Sequence, residues 1–347
     1  MNEIILRKEG LAGRATLNRP DALNAVTLPM IRALSDALSR WATDGEIALV
    51  LIDATGERAF SAGGDIAYMH DAIARGEFEN ARRFWREEYR LNATLANFPK
   101  PVVTLLNGFT MGGGVGLGCH ASHRVVGDSS RIAMPECGIG LVPDVGGSLL
   151  LAHAPGRAGE YLGTTGTRMG AGDAIFAGFA DRYVPEETWP DLATRLEASG
   201  DPAEIDHVAR PAPESALAAV EAKINRHFAG ESFRDILDSL ARTEDAWSRE
   251  TLVRLEPHAP LALAATIELV RRARTANRIE TALVNEYRFA HRVTEQGDFL
   301  EGIRAAVIDK DRSPRWVHDS PCAATAEEVS DMLSPLGPEE LKLEDAS

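Results

Sequence analysis

Glu136 and Asp144 stand either side of Cys137-Gly138-Ile139-Gly140-Leu141-Val142-Pro143, a stretch rich in glycine and closed by proline. A tight loop of that composition can bring two acids to one cavity. Burial would then keep one carboxyl protonated while the other stays ionised, which is what general acid–base work requires. Each acid also has a plain structural use. Glu136 can anchor the loop or cap a helix, and Asp144, just ahead of Val145-Gly146-Gly147, can be an N-cap.

A second chemistry is written in two glycine turns. Thr110-Met111-Gly112-Gly113-Gly114-Val115-Gly116-Leu117-Gly118 follows the apolar, β-branched run Pro101 to Leu106. Phe60-Ser61-Ala62-Gly63-Gly64-Asp65-Ile66 repeats the idea earlier in the chain. Both read as a strand delivering its chain to a helix N-terminus, where the first amides have no internal acceptor. Two such amides converging on one point form an oxyanion hole, suited to a thioester or ester carbonyl. The alternative is close packing of a bare helix against a sheet. The glycines do not follow a dinucleotide fingerprint, no Lys-Ser or Lys-Thr completes a phosphate loop, and no Gly-x-Ser-x-Gly supports a serine nucleophile.

Other candidates carry less. Glu88, in Arg86-Glu87-Glu88-Tyr89-Arg90, is by default a solvated helix acid, and Glu286 with Tyr287 and Arg288 reads as the surface of an amphipathic helix. His120 and His123 have no acid or cysteine beside them at metal-ligand spacing, so no metal site is expected. Cys119, Cys137 and Cys322 show no C-x-x-C spacing and read as reduced thiols.

The elements that position these residues follow from periodicity. Ile4 to Lys8 and Arg14 to Leu17 predict a hairpin; Thr27 caps a helix whose Leu28, Ile31, Leu34, Leu38 and Trp41 recur at helical spacing. Ala48 to Ile52 is wholly apolar, as a strand buried on both faces should be. Helices are predicted over 67–75, 82–97 and 148–153, with short strands at 124–126 and 131–134. The order of strand, turn and helix over residues 1–200 indicates an α/β domain. Prolines 202, 211 and 213 then introduce a helical region to about 325, with helices over 214–228, 233–240, 247–255, 261–276 and 279–293. The acidic stretch 326–347, with Pro335 and Pro338, is expected to be mobile.

With 347 residues, 44% hydrophobic and 26% charged, the chain has ample core. A net charge of −15 argues against nucleic acid or an anionic membrane as main partner. No apolar run reaches the length of a membrane span and the N-terminus opens as a strand, so a soluble cytoplasmic protein is expected.

The glycine turns, Met134-Pro135-Glu136 through Pro143-Asp144-Val145-Gly146-Gly147, and Asp298 through Ile308-Asp309-Lys310-Asp311-Arg312-Ser313-Pro314-Arg315-Trp316 together resemble the crotonase, or enoyl-CoA hydratase/isomerase, superfamily. The resemblance spans roughly residues 3 to 316. It implies a crotonase-like (ClpP/crotonase) ββα superhelix with a helical C-terminal region, and an acyl-CoA substrate with no separate cofactor. It implies that the Ala62 and Gly113 amides form the oxyanion hole and that Ala62, Gly63, Gly64, Asp65 and Ile66 lie along CoA. By the same resemblance Glu136 attacks the thioester or activates water, Asp144 holds a 3-hydroxyl or positions water, and Glu88 lines the acyl pocket. Gly116 stands where hydratases with paired glutamates carry their first acid, and Asp144 where they usually have glycine. The implied reaction is therefore hydrolysis of a short 3-hydroxyacyl-CoA, 3-hydroxyisobutyryl-CoA first, a step of valine catabolism. Hydration or isomerisation of an enoyl thioester, and acyl-CoA binding without turnover, are the alternatives. Helical tails in this superfamily commonly pack between subunits, so a homo-oligomer is also among the expectations.

Overall fold

Strands pair with neighbours whose side chains can share a dry interface, and the apolar runs set the order here. The computed structural model describes residues 2–343. One sheet has the order β1 (Ile4–Glu9), β2 (Ala12–Leu17), β3 (Leu49–Ala54), β5 (Val102–Leu106), β7 (His123–Val126), β9 (Arg182–Tyr183). The hairpin pair is antiparallel and every later pair is parallel. Leu49 to Ile52 and all of β5 are buried, as strands covered on both faces must be. A smaller parallel sheet joins β4 (Ala59–Ser61), β6 (Phe109–Met111) and β8 (Arg131–Ala133). Each of β3, β5 and β7 is thus followed by a strand of the small sheet before the chain moves on, which generates the expected ββα repeat.

The helices bring the site residues inward. In α1 (Leu28–Thr43), the Thr27 hydroxyl accepts from Met30 N, and Met30, Ile31, Leu34, Leu38 and Trp41 face the core. Next come α2 (Ile66–Ala74) and α3 (Phe78–Ala96). The third carries Trp85, Glu88 and Tyr89 on a single buried face. After the triple glycine is α4 (Gly113–Gly118), and after the Asp144 loop is α5 (Gly147–His153). Between residues 154 and 200, where periodicity assigned nothing, lie α6 (Ala158–Thr165), Ala171–Phe176 and Trp189–Ser199.

The helical half is continuous with the first. Helix Pro260–Ala276 packs on α5 and α6, and helix Ile279–Val293 packs on α3 and α5. One hydrophobic core runs from Ile4 to Leu341. The helix predicted over 214–228 is two, Ala216–Ala219 and Glu221–His227, separated at Val220.

Two expectations are corrected. Glu286 and Tyr287 do not decorate a surface, because both are fully buried between the helical half and α3. Nor is the acidic C-terminal stretch loose. Ala326–Met332 is a helix closed by a Thr325–Glu328 capping box, and Val329, Met332, Leu333 and Leu341 are buried. Arg292 Nη1 donates to the Met332 and Ser334 carbonyls at 3.1 and 2.8 Å, and Arg288 pairs with Glu340 at 2.9 Å. The acids face out while interspersed apolar residues reach the core, so composition alone misjudged the segment. Residues 344–347 of that expectation lie outside the described residues.

Deleting residues 326–347 should therefore destabilise the protein by several kcal/mol, since each buried aliphatic side chain contributes about 1.5–3 kcal/mol. Urea unfolding reads this directly. An unchanged midpoint would mean that the segment packs without contributing.

Candidate active site

The two glycine turns meet. A Cβ placed on Gly113 would stand 3.1 Å from Gly64 N, and one placed on Gly63 would stand 3.7 Å from Gly113 N. Such proximity is open only to a backbone without side chains. Gly112 (φ +49°) and Gly63 (φ +112°) both adopt the left-handed region, turning the amide that follows each out of its own chain's hydrogen bonding. Gly113 is the first residue of α4, so its N–H has no intrahelical acceptor.

The free amide of the first turn is not the one expected. Ala62 N donates to Leu23 O at 2.9 Å and is committed to the loop before α1. Gly63 N lies 3.3 Å from the Ser61 hydroxyl, and Asp65 N donates to Val26 O. Gly64 N has no acceptor among the described residues, and it is the amide that faces Gly113. Ala62 lines the cavity but does not offer its N–H to it. The signal lay in the kink: Gly63 rotates the next peptide, so the free amide falls after the first glycine of the pair.

Around this point is a cavity of about 580 Å³, lined by both turns, Glu88, Glu136 and Asp144, within the usual range for small-molecule sites. Ile66 also lines it, whereas Asp65 does not: it caps α2 through Tyr68 N and lies 3.4 Å from Arg19. Glu136 opens a 3-10 turn after β8 and is 4% exposed. Its Oε1 lies 3.0 Å from where a Gly112 Cβ would stand, and its Oε2 has no partner among the described residues. Glu88, 2% exposed, puts Oε1 2.5 Å from the corresponding Cβ position of Gly113, likewise unpartnered. Asp144, 4% exposed, accepts a 2.8 Å hydrogen bond from the Tyr89 hydroxyl.

Electrostatics separate the three acids. Burial raises the Asp144 carboxyl from 3.8 to about 6, with the Tyr89 hydroxyl opposing. Burial, then the nearby Asp144 charge, lifts Glu88 and Glu136 well above the usual carboxylate range. Burial thus acts on all three acids, and the charge of Asp144 further opposes ionisation of Glu88 and Glu136.

Several lining residues were given no role by the sequence. Trp85 and Phe299 pack at 5.5 Å as an aromatic wall of the cavity. Arg168, stacked 5.3 Å over Phe109, and Arg312 supply positive charge to the lining. His258 also lines it, with Nδ1 bonded to the Thr164 carbonyl at 2.7 Å. The expected structural roles of the other histidines are visible: His120 Nε2 donates to Val145 O at 2.7 Å, and His123 pairs with the Ser122 hydroxyl. Among the described residues no group of three or more His, Cys, Asp or Glu is arranged to hold a metal, and no helix is long and apolar enough to cross a membrane.

Residues 12–333 match the enoyl-CoA hydratase/isomerase family, and the chain belongs to it, with the crotonase fold. Among its relatives is the mitochondrial 3-hydroxyisobutyryl-CoA hydrolase of Gallus gallus, 35% identical over 98% of this chain and 91% of that protein. The Homo sapiens protein of the same name is also 35% identical, over 98% of this chain and 90% of that one. A crystal structure of an enoyl-CoA hydratase from Rhodobacter sphaeroides 2.4.1 superposes with a TM-score of 0.94 at 53% identity, covering 98% of this chain and 100% of that one. A carnitinyl-CoA dehydratase from Mycobacterium thermoresistibile gives 0.94 at 36% identity, covering 99% and 100%.

Asp144 has a measurable energetic signature. Because its folded pKa of about 6 exceeds the ordinary 3.8, the folded protein binds more protons there than the unfolded chain does. Stability from this group falls as pH rises through that window, and the full cost persists above it. Asp144→Asn should therefore raise unfolding stability near pH 8 by on the order of 2–3 kcal/mol, and change it little near pH 4. Lower stability near pH 8 in urea unfolding would mean that the carboxylate's bonds outweigh its burial.

Proposed function

We propose that this protein hydrolyses the thioester of a short 3-hydroxyacyl-CoA, with 3-hydroxyisobutyryl-CoA as first substrate, releasing CoA and the hydroxy acid. The observation that carries the reading is the meeting of two unshared glycine amides, Gly64 and Gly113, beside Glu136 and opposite Asp144. The thioester oxygen would lie between the amides, which strengthen their hold as charge develops on it. Glu136, with an unshared oxygen, then attacks the carbonyl or takes a proton from water. Either step uses the ionised Glu136 carboxylate, so the pair it forms with Asp144 gives up a proton before it acts. A proton taken from water onto that pair can return to the departing thiolate, which closes the cycle without a cofactor. Glu88 and Trp85 line the acyl end, and Arg168 and Arg312 would offer charge to the phosphates of CoA. The identity with hydrolases of this name over nearly the whole chain supports the same substrate. It also supports a place in valine catabolism.

Enoyl thioester hydration is the second reading, favoured by the descriptions of the two solved neighbours. Space at Gly116 argues against it. A Cβ there would meet Asn92 Nδ2 at 2.6 Å and Val145 Cβ at 2.7 Å, so the first acid of a paired-glutamate hydratase has no room. For the compartment, we keep the cytoplasmic proposal, with three unpaired cysteines in its favour. The Gallus gallus and Homo sapiens relatives are named as mitochondrial proteins, and cell fractionation decides.

Glu136→Gln should lower thioester hydrolysis, followed by thiol release, by about 10²–10⁴-fold while CoA thioester binding by calorimetry is retained. Undiminished release would remove Glu136 from the reaction. Loss of ultraviolet absorbance from an α,β-unsaturated thioester, without thiol release, would select hydration instead. In the parent, kcat/KM should climb with pH above about 6 as the Glu136 and Asp144 pair loses protons, and Asp144→Asn, which removes the charge opposing Glu136, should move that limb to lower pH.

A further inference from the structure

Glu286 belongs to helix Ile279–Val293 in the helical half, far in sequence from the catalytic loop, yet its side chain ends on that loop. It is 0% exposed. Its Oε2 accepts from Gly146 N at 2.7 Å, and its Oε1 accepts from Ser148 N at 3.0 Å and from the Ser148 hydroxyl. The backbone it grips needs gripping. Val145 is a β-branched residue at φ +54°, followed by Gly146 at φ +80°. A β-branched left-handed residue persists only where its surroundings over-determine it. Gly147 N closes back onto Asp144 O at 2.6 Å, and His120 holds the Val145 carbonyl. Asp144 therefore sits at the start of a strained turn whose next amides are secured by one buried carboxylate.

Packing alone does not call for an acid there. An apolar residue of similar size would fill the space at no desolvation cost but leave two amides and a hydroxyl without acceptors. The geometry assigns Glu286 as a positioning residue: by anchoring Gly146 and Ser148 it sets the Asp144 carboxylate against Tyr89 and the cavity. The helical half thereby forms part of the catalytic apparatus as well as of the core. This rests on the hydrolase reading for its kinetic test and on geometry alone for its structural one.

The experiment is a double-mutant cycle with 3-hydroxyisobutyryl-CoA. Glu286→Ala should lower kcat about 100-fold, the scale of a misplacement near 1 Å, with KM changed less than about threefold. Glu286→Gln, whose amide oxygen can still serve Ser148, should recover about tenfold of that loss. In the Asp144→Asn background the Glu286 changes should add less than about threefold, because they act through Asp144. Equal factors in both backgrounds, or a lowered melting temperature with unchanged kcat per folded molecule, would overturn the assignment. Should Glu286→Ala fail to fold, Glu286→Gln carries the cycle. If the parent protein turns over no acyl-CoA, the hydrolase reading fails by itself. Amide hydrogen exchange then decides: faster exchange at Gly146 and Ser148 in Glu286→Gln supports the anchor, and unchanged exchange overturns it.

Discussion

The absence of side chains at two turns governs this molecule. Gly63-Gly64 and Gly112-Gly113 approach so closely that Cβ atoms at several of these positions would meet backbone or carboxylate oxygens. Gly114 has the same constraint, with Ser61 O only 2.4 Å from where its Cβ would be. Two parallel strands of the small sheet, β4 and β6, carry the turns side by side, so the sheet's register brings the amides of Gly64 and Gly113 together. The substrate reading, the cavity and the arrangement of acids all presuppose that contact.

Around it the protein buries four carboxyl groups. Glu88, Glu136, Asp144 and Glu286 are all at most 4% exposed. Each pays a desolvation penalty, and each is pushed upward in pKa by burial first. Glu286, raised to about 7, spends its oxygens on loop amides and a serine hydroxyl, Asp144 has Tyr89, and the other two keep unpartnered oxygens facing the cavity. Structural acids elsewhere are treated differently. Glu160 is equally buried but lies between Arg157 and Arg274, which lower its pKa. Arginine neutralises the acid of the scaffold, whereas the acids of the cavity are left to influence one another. That contrast marks the site as functional.

The helical half closes the arrangement. It supplies Glu286 to the Asp144 loop, Phe299 and Arg312 to the cavity wall, and the Arg288 and Arg292 side chains that tie down the C-terminal stretch. Its core is continuous with the α/β half, so the Asp144 loop is held from both sides.

Periodicity and turn chemistry were enough for the local elements, because a strand such as β5 or a capped helix such as α1 is specified by residues within a few positions of one another. The glycine turns, Glu136 and Asp144 were legible for the same reason. What needed the tertiary structure were decisions made by distant partners. Leu23, far along the chain from Ala62, takes that residue's amide and leaves Gly64 N as the free one. Glu88 and Glu286 have the spacing of solvated helix acids, and tertiary packing buries them, Glu88 against the Gly113 turn and Glu286 against Gly146 and Ser148. The acidic composition of the C-terminal stretch pointed to mobility, but Val329, Met332, Leu333 and Leu341 are buried against the rest of the protein. Short-range pattern sets which backbone forms, since it reflects each residue's own conformational preferences. Which polar groups remain free to do chemistry is set by who else arrives to bond them, and that is a property of the folded whole.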